Sequence, residues 1–281
     1  MGAIYNDEFY KNRYQDTVDS ARKILSSVFS IIPLPESCLD LGCGVGAWLS
    51  VAQELGVKSI YGYDGEWVKE EYLRIPHASF TKTDLNVAFP VSFPVDFAIC
   101  LEVAEHIPHS SADILVKFLT DSARFILFSA ATPYQTGDGH INEQWPTYWE
   151  DKFADHGFTM LDLIRKDIWE DVEIPFWYRQ NIFFCVHNDS LDSLNVSPVC
   201  YKYCKPISSV HPELLERYTN KENCGENVDI TPSKIGIKQI MNGVLFRILL
   251  LPLLFFNRKY IVEFVNSPCG CLRKLHNRVI R

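Results

Sequence analysis

The sequence predicts an α/β fold: a doubly wound, mostly parallel sheet with helices on both faces, followed by a C-terminal extension. Two observations carry this. Across residues 35–187 short apolar runs alternate with helical stretches, the pattern of βαβ units. A glycine-rich turn, Gly42-Cys43-Gly44-Val45-Gly46, joins the first such run to the next helical stretch. Composition agrees: 281 residues with 47% hydrophobic and 22% charged side chains bury a real core, which excludes wholesale disorder.

The elements follow in order. Residues 7–30 carry Phe9, Val18, Ala21, Leu25, Val28 and Phe29 at mostly helical spacing and stop before Pro33, an amphipathic entry helix. Strands are expected at 38–41, 59–63, 79–83, 95–101, 124–129, 158–163 and 181–186, and helices at 47–55, 114–119 and 148–156. No long helix separates the last two strands, which allows an antiparallel strand at one edge. The expected domain plan is an N-terminal helical segment at 1–34, a nucleotide-binding domain at 35–187, a linker or irregular extension at 188–233 and a basic, apolar tail at 234–281.

Charge is unevenly spread. Residues 232–281 hold nine Lys/Arg and only Glu263 as an acid, so the tail is +8; with a chain total of −8, the body carries −16. An acidic body disfavours nucleic acid as a partner, while the tail, with apolar 244–256 beside Arg258 and Lys259, suits peripheral membrane contact through 244–281. Thirteen helical residues reach about 20 Å, short of the ~30 Å bilayer core. The N-terminus lacks a basic segment followed by an apolar core, and the odd count of nine cysteines fits reduced thiols, so a cytoplasmic location is expected. Cys200, Cys204 and Cys224 have no fourth ligand at finger-like spacing.

The most specific signal is Leu39-Asp40-Leu41-Gly42-Cys43-Gly44-Val45-Gly46-Ala47. A strand ends, three glycines let the backbone turn and approach a ligand, and a helix opens with free N–H groups. Asp64 ends the next strand, where an acid accepts from ribose hydroxyls. NAD and S-adenosylmethionine both need that contact. Asp40 separates them: a carboxylate two residues before Gly42 answers a cationic amino-acid end and repels a pyrophosphate. Asp84, followed by Leu85 after the third strand, is placed to accept from an adenine amino group, although alone it reads as a turn residue.

On these residues, roughly 35–187, the chain resembles the class I S-adenosylmethionine-dependent methyltransferases. The resemblance implies a Rossmann-like sheet of about seven strands with the last inserted antiparallel. It also implies S-adenosyl-L-methionine as cofactor, with Asp40, Gly42, Gly44, Gly46, Asp64, Asp84 and Leu85 around it.

After the fourth strand, Glu102-Val103-Ala104-Glu105-His106 places Glu102, Glu105 and His106 at i, i+3 and i+4, one face if helical. This segment is similar to one in quinone O-methyltransferases and small-RNA 2′-O-methyltransferases. The similarity implies a divalent-metal site completed by a downstream histidine, here His140 in Gly137-Asp138-Gly139-His140-Ile141-Asn142-Glu143-Gln144-Trp145. Two carboxylates and two imidazoles suit Mn²⁺, Fe²⁺ or Zn²⁺ better than Mg²⁺. Two other readings stand beside it: His106 as a general base oriented by Glu105, and solvated glutamates with a packing histidine.

Aromatic residues follow at Trp145, Tyr148, Trp149, Trp169, Phe176, Trp177 and Tyr178, suited to sugar faces and equally to core packing. The words from Gly139 to Trp149 and Trp177-Tyr178-Arg179-Gln180-Asn181 are similar to bacterial methyltransferases associated with glycan genes. The expected activity is therefore O-methylation of a glycan, sugar or small polar acceptor. The alternatives are an RNA 2′-O-methyltransferase, an NAD-dependent oxidoreductase and a non-catalytic scaffold.

Overall fold

A computed structural model describes residues 7–87, 94–197 and 204–223. The chain divides into two units, Met1–Leu214 and Leu215–Arg281; the sheet and the residues discussed below belong to the first. The expectations for 234–281, including membrane contact through 244–281, and for Cys200 and Cys224 fall outside the described residues.

Helix α1 (Asp7–Ile31) buries Val18, Ala21, Ile24, Leu25 and Val28, a stripe recurring every three or four residues. It packs on α2 (Ala47–Glu54). The strands are β1 (Ser37–Leu41), β2 (Ser59–Asp64), β3 (Phe80–Lys82), β4 (Val95–Leu101), β5 (Ala123–Ser129), β6 (Phe158–Leu161) and β7 (Phe183–His187). Two longer helices, α3 (Ala112–Ser122) and α4 (Pro146–Asp155), lie in chain order on either side of β5. Short helices α5 (Arg165–Ile168) and α6 (Phe176–Asn181) link β6 to β7, and α7 begins at Pro212 and runs to Asn223.

The sheet order is β3-β2-β1-β4-β5-β7-β6. The first five strands pair in parallel, and β7 runs antiparallel to both β5 and β6. The antiparallel strand is thus inserted between two others, and β6 forms the edge. The order reverses between β1 and β4, and ligands bind beyond the carboxyl ends of strands at such a switch point. Central strands are buried on both faces: Cys38 through Leu41 and Phe97 through Cys100 are shielded from solvent. One face is closed by Leu115, Val116 and Leu119 of α3 with Trp149 and Phe153 of α4; on the other, Phe29 of α1 meets Phe97 edge-on with ring centroids 5.5 Å apart.

Residues 204–211 carry no regular secondary structure, yet 204–214 is tied by hydrogen bonds to the segments around β6 and α6. The backbone N–H of Asp162 donates to Cys204 O at 2.7 Å. The Arg165 guanidinium, 4% exposed, pairs with Asp162 and donates to Gln180 O (2.9 Å), Ile207 O (2.9 Å) and Ser209 Oγ (3.2 Å). Arg179 donates to Trp169 O at 3.1 Å and to Glu213 Oε2 at 2.6 Å. The segment is a strap, and buried arginines that need acceptors hold it down. Its polar composition hid this, because its partners lie 30 or more residues away.

Removing one partner of a buried ion pair strands the other, which costs about 3 kcal/mol. Arg165→Ala should therefore lower unfolding free energy by about that amount in a urea titration followed by circular dichroism; a loss under ~0.5 kcal/mol, as at an ordinary surface site, would show the strap is not held by Arg165.

Candidate active site

The loop after β1 is built for a backbone approach. The N–H groups of Gly42 and Cys43 both donate to Tyr63 O, at 2.7 and 3.1 Å, which locks the loop to β2. Gly42 has φ +82°, and a Cβ there would run into the side chain of Val103. Gly44 (φ +54°) has nothing within 4 Å of where a Cβ would stand, so its open side is free for a ligand. Through Val103 this loop touches the segment that carries Glu102, Glu105 and His106.

Two carboxylates stand beneath the loop. Asp64 accepts from Gly44 N–H (2.7 Å) and Gly65 N–H (2.6 Å), and so holds the loop. Asp40 is buried at 2% exposure, and its Oδ2 has no hydrogen-bond partner. Burial, and then the neighbouring Asp64 charge, push the Asp40 carboxyl well above the usual range. A buried carboxylate oxygen without a donor is stable only if a cation or donor arrives. The α-ammonium group of S-adenosylmethionine supplies both, whereas a pyrophosphate would add a like charge. Asp84 lies exposed past β3, where its carboxylate accepts from Asn86 N–H (2.9 Å) and Asn86 Nδ2 (2.7 Å), and Leu85 beside it is buried.

The second group follows β4. The sequence spacing suggests a helical face shared by Glu102, Glu105 and His106, but only a single 3₁₀ turn forms, Ala104–His106. Glu102 precedes it at φ 54°. Its carboxylate is taken up by protein amides: it accepts from Asn181 Nδ2 (3.1 and 3.3 Å) and Gln135 Nε2 (2.9 Å). Burial raises its pKa, and these amide donors oppose the shift. Among the described residues, a metal-ligand set forms from Glu105, His106 and His140, whose ligand atoms all lie within 4.8 Å of one another. Glu102 stands outside that set, its carboxylate held instead by Asn181 and Gln135.

Glu105 is completely buried, and neither carboxylate oxygen has a hydrogen-bond partner. Burial first, and then the charge of Glu102, push its pKa well above the ordinary value, softened only by the backbone amides of Glu105 and Ala131. His106 sits at the rim with Nδ1 3.2 Å from Gly139 O. Burial of its ring and the nearby His140 lower its pKa. The two imidazoles meet edge-on with centroids 4.9 Å apart.

Three contributors carry no role in the sequence reading. Gln135 and Asn181 clamp Glu102, and Glu143 bonds His140; Asn181 and Glu143 lay inside the noted words without a function. Trp67 is a fourth: two-thirds exposed, it bonds the Asp64 carboxylate and lays its ring on Gly65. Much of the aromatic group is packing instead. Trp149 lies against Phe128 (5.2 Å between centroids) and Tyr178 against Trp48 (5.4 Å). Burial also raises the thiols of Cys38, Cys100 and Cys185 well above their normal range, which makes them poor nucleophiles.

Residues 9–123 match a family model described as a methyltransferase domain. No curated protein matches the chain. Among solved structures, the sugar N-methyltransferase of Streptoalloteichus sp. is 17% identical, with a TM-score of 0.51 over 66% of this chain and 94% of that one. The magnesium protoporphyrin IX methyltransferase of Synechocystis with bound S-adenosylhomocysteine is 20% identical, with a TM-score of 0.47 over 66% of this chain and 90% of that one. Residues 9–123 thus match a methyltransferase domain, and the seven-stranded sheet with one inserted antiparallel strand is the fold it shares with solved S-adenosylmethionine-dependent methyltransferases.

The unpartnered Asp40 has a measurable cost. Its folded pKa is raised, so the unfolded chain releases this proton at lower pH than the folded chain does. Its contribution to stability therefore falls as pH rises from the ordinary aspartate range toward the folded value. Asp40→Asn should gain about 1 kcal/mol over wild type at neutral pH in the absence of cofactor, with the gap closing near pH 4. The same variant should bind S-adenosylhomocysteine at least ~10-fold more weakly by calorimetry; a less stable variant with intact affinity would contradict the assignment.

Proposed function

We propose that this domain methylates a hydroxyl oxygen of a sugar, glycan or other small polar acceptor, with Glu105, His106 and His140 as the acceptor centre. The observation that carries this is Glu105: a carboxylate fully buried with no well-formed hydrogen bond to either oxygen, beside two imidazoles, one residue-pair away from the glycine loop through Val103. Packing alone gives no reason to bury such a group. A network of amides joins Gln135 and Asn181 to Glu102, and Gln144 to Asn142, close to this segment in the fold, and such side chains suit a polyhydroxyl acceptor. The likeness to a sugar N-methyltransferase supports the fold and leaves the acceptor to this chemistry.

Asp40, Gly44 and Asp64 would hold the amino-acid and ribose portions of the cofactor, with Asp84 and Leu85 at the adenine end. The residues also fit a divalent ion. Glu105 offers unpartnered oxygen, and each histidine has Nδ1 engaged, which leaves Nε2 for coordination. Nitrogen-rich donors favour Mn²⁺, Fe²⁺, Co²⁺ or Zn²⁺ over Mg²⁺. Such an ion supplies Lewis acidity that eases loss of the acceptor proton. The protein's own contribution is positional: methyl transfer is an in-line displacement, and holding oxygen and methyl carbon in attack geometry supplies most of the rate.

The test uses S-[methyl-³H]adenosylmethionine with nucleotide-activated sugars, methyl glycosides and short RNAs, each with and without Mn²⁺. Label should enter the sugar fraction. His106→Ala should lower turnover by about 100-fold while S-adenosylhomocysteine affinity stays within ~3-fold, and Asp64→Ala should abolish that affinity. Label confined to RNA, or wild-type turnover in His106→Ala, would overturn the proposal.

A further inference from the structure

His140 is gripped on every side. Its Nδ1 lies 2.8 Å from Glu143 Oε1, and its Nε2 lies 4.0 Å from Glu105 Oε1. Glu143 is itself fixed, because its Oε2 accepts the Tyr134 N–H at 2.9 Å. The chain between these contacts is pinned to the 3₁₀ turn: Ile141 and Asn142 donate their N–H groups to Glu105 O at 2.9 and 3.0 Å, and Gln144 N–H donates to Ala131 O at 3.2 Å. Gly137 makes room for the ring, since a Cβ there would collide with the imidazole.

The loop keeps this arrangement against backbone strain. Tyr134 has φ 72° and Thr136 φ 54°, and a β-branched residue in the left-handed region is unusual. Strain of that kind, of order 1–3 kcal/mol each, persists where surrounding contacts over-determine it. Here those contacts converge on one imidazole.

Tautomer chemistry says what the grip achieves. A carboxylate on Nδ1 keeps the proton on that nitrogen, so Nε2 presents a lone pair. The same holds for His106, whose Nδ1 faces a carbonyl oxygen that can only accept. Glu105, His106 and His140, whose ligand atoms lie within 4.8 Å of one another, then offer a three-ligand set in which each histidine keeps Nε2 for a ligand.

We propose that Glu143 is the positioning residue of this centre: it fixes the His140 tautomer and ring, and thereby sets the affinity of Glu105, His106 and His140 for a divalent ion. This rests on the metal reading above. Ligand histidines that lose such an outer carboxylate bind metal about 10- to 100-fold more weakly.

The experiment titrates tag-free, metal-stripped full chain with Co²⁺ alone, followed by calorimetry and by the visible absorption of the bound ion. Wild type should bind one Co²⁺, and Glu105→Gln should bind none. Glu143→Ala should weaken binding by about 10- to 100-fold. Glu143→Gln keeps an oxygen that accepts from Nδ1, and its affinity should fall between wild type and Glu143→Ala. Gly137→Ala, which alters no charge, should weaken binding by crowding the ring, and serves if Glu143→Ala does not fold. Wild-type affinity in both Glu143→Ala and Gly137→Ala would overturn the proposal, as would equal losses in Glu143→Ala and Glu143→Gln, which would assign the effect to charge alone. Absence of Co²⁺ binding by wild type would remove the metal reading and this inference together, while S-adenosylhomocysteine binding by the same sample would leave the methyltransferase assignment standing.

Discussion

Two buried carboxyl groups with oxygens that lack a well-formed hydrogen bond, Asp40 at Oδ2 and Glu105 at both, are the constraint around which the rest is arranged. Each costs stability in the folded chain, and proteins keep such groups where a ligand repays the cost. They flank the point where the strand order reverses, one at the end of β1 and one just past β4. The glycine loop lies between them, with Gly42 against Val103 as the joint. The proposed cofactor and acceptor sites are therefore neighbours across this contact.

The remaining carboxylates have been given protein partners, which divides the labour. Asp64 is spent on backbone N–H groups and stabilises the loop. Glu102 is spent on amides from α6 and from the loop after β5. Those amides connect outward: Gln180, next to Asn181, bonds Thr132 (2.8 Å) and accepts the His211 N–H (2.7 Å). The strap at 204–214 thus buttresses the helix that clamps Glu102, so a segment far from the loop in sequence supports the site's geometry.

Much of this was legible in the sequence where interactions are local. The β1–loop–α2 unit, the stripe of α1 and the position of Asp64 at the end of β2 follow from periodicity and from glycines at fixed offsets, whereas its hold on the Gly44 and Gly65 N–H groups does not. Glu102 was misplaced because helical spacing was assumed for a segment that turns once and begins in a left-handed conformation; nothing within five residues signals that. The insertion of β7 between β5 and β6 depends on strand pairing across 55 or more residues, which no local pattern encodes. Trp149 and Tyr178, which the sequence leaves open between sugar faces and core packing, are core, since ring chemistry alone does not distinguish the two.

The central claim is that Asp40 exists to meet a cationic amino-acid group, which makes the pocket one for S-adenosylmethionine. The most direct measurement compares, by calorimetry on the full chain, S-adenosylhomocysteine with 5′-methylthioadenosine, which keeps the adenosine and lacks the amino-acid end. The account predicts that S-adenosylhomocysteine binds about 100-fold more tightly, close to 2.7 kcal/mol, within reach of a charge-assisted contact to a buried carboxylate. Equal affinities would contradict it, because Asp40 would then be buried and unpartnered for no purpose the cofactor serves.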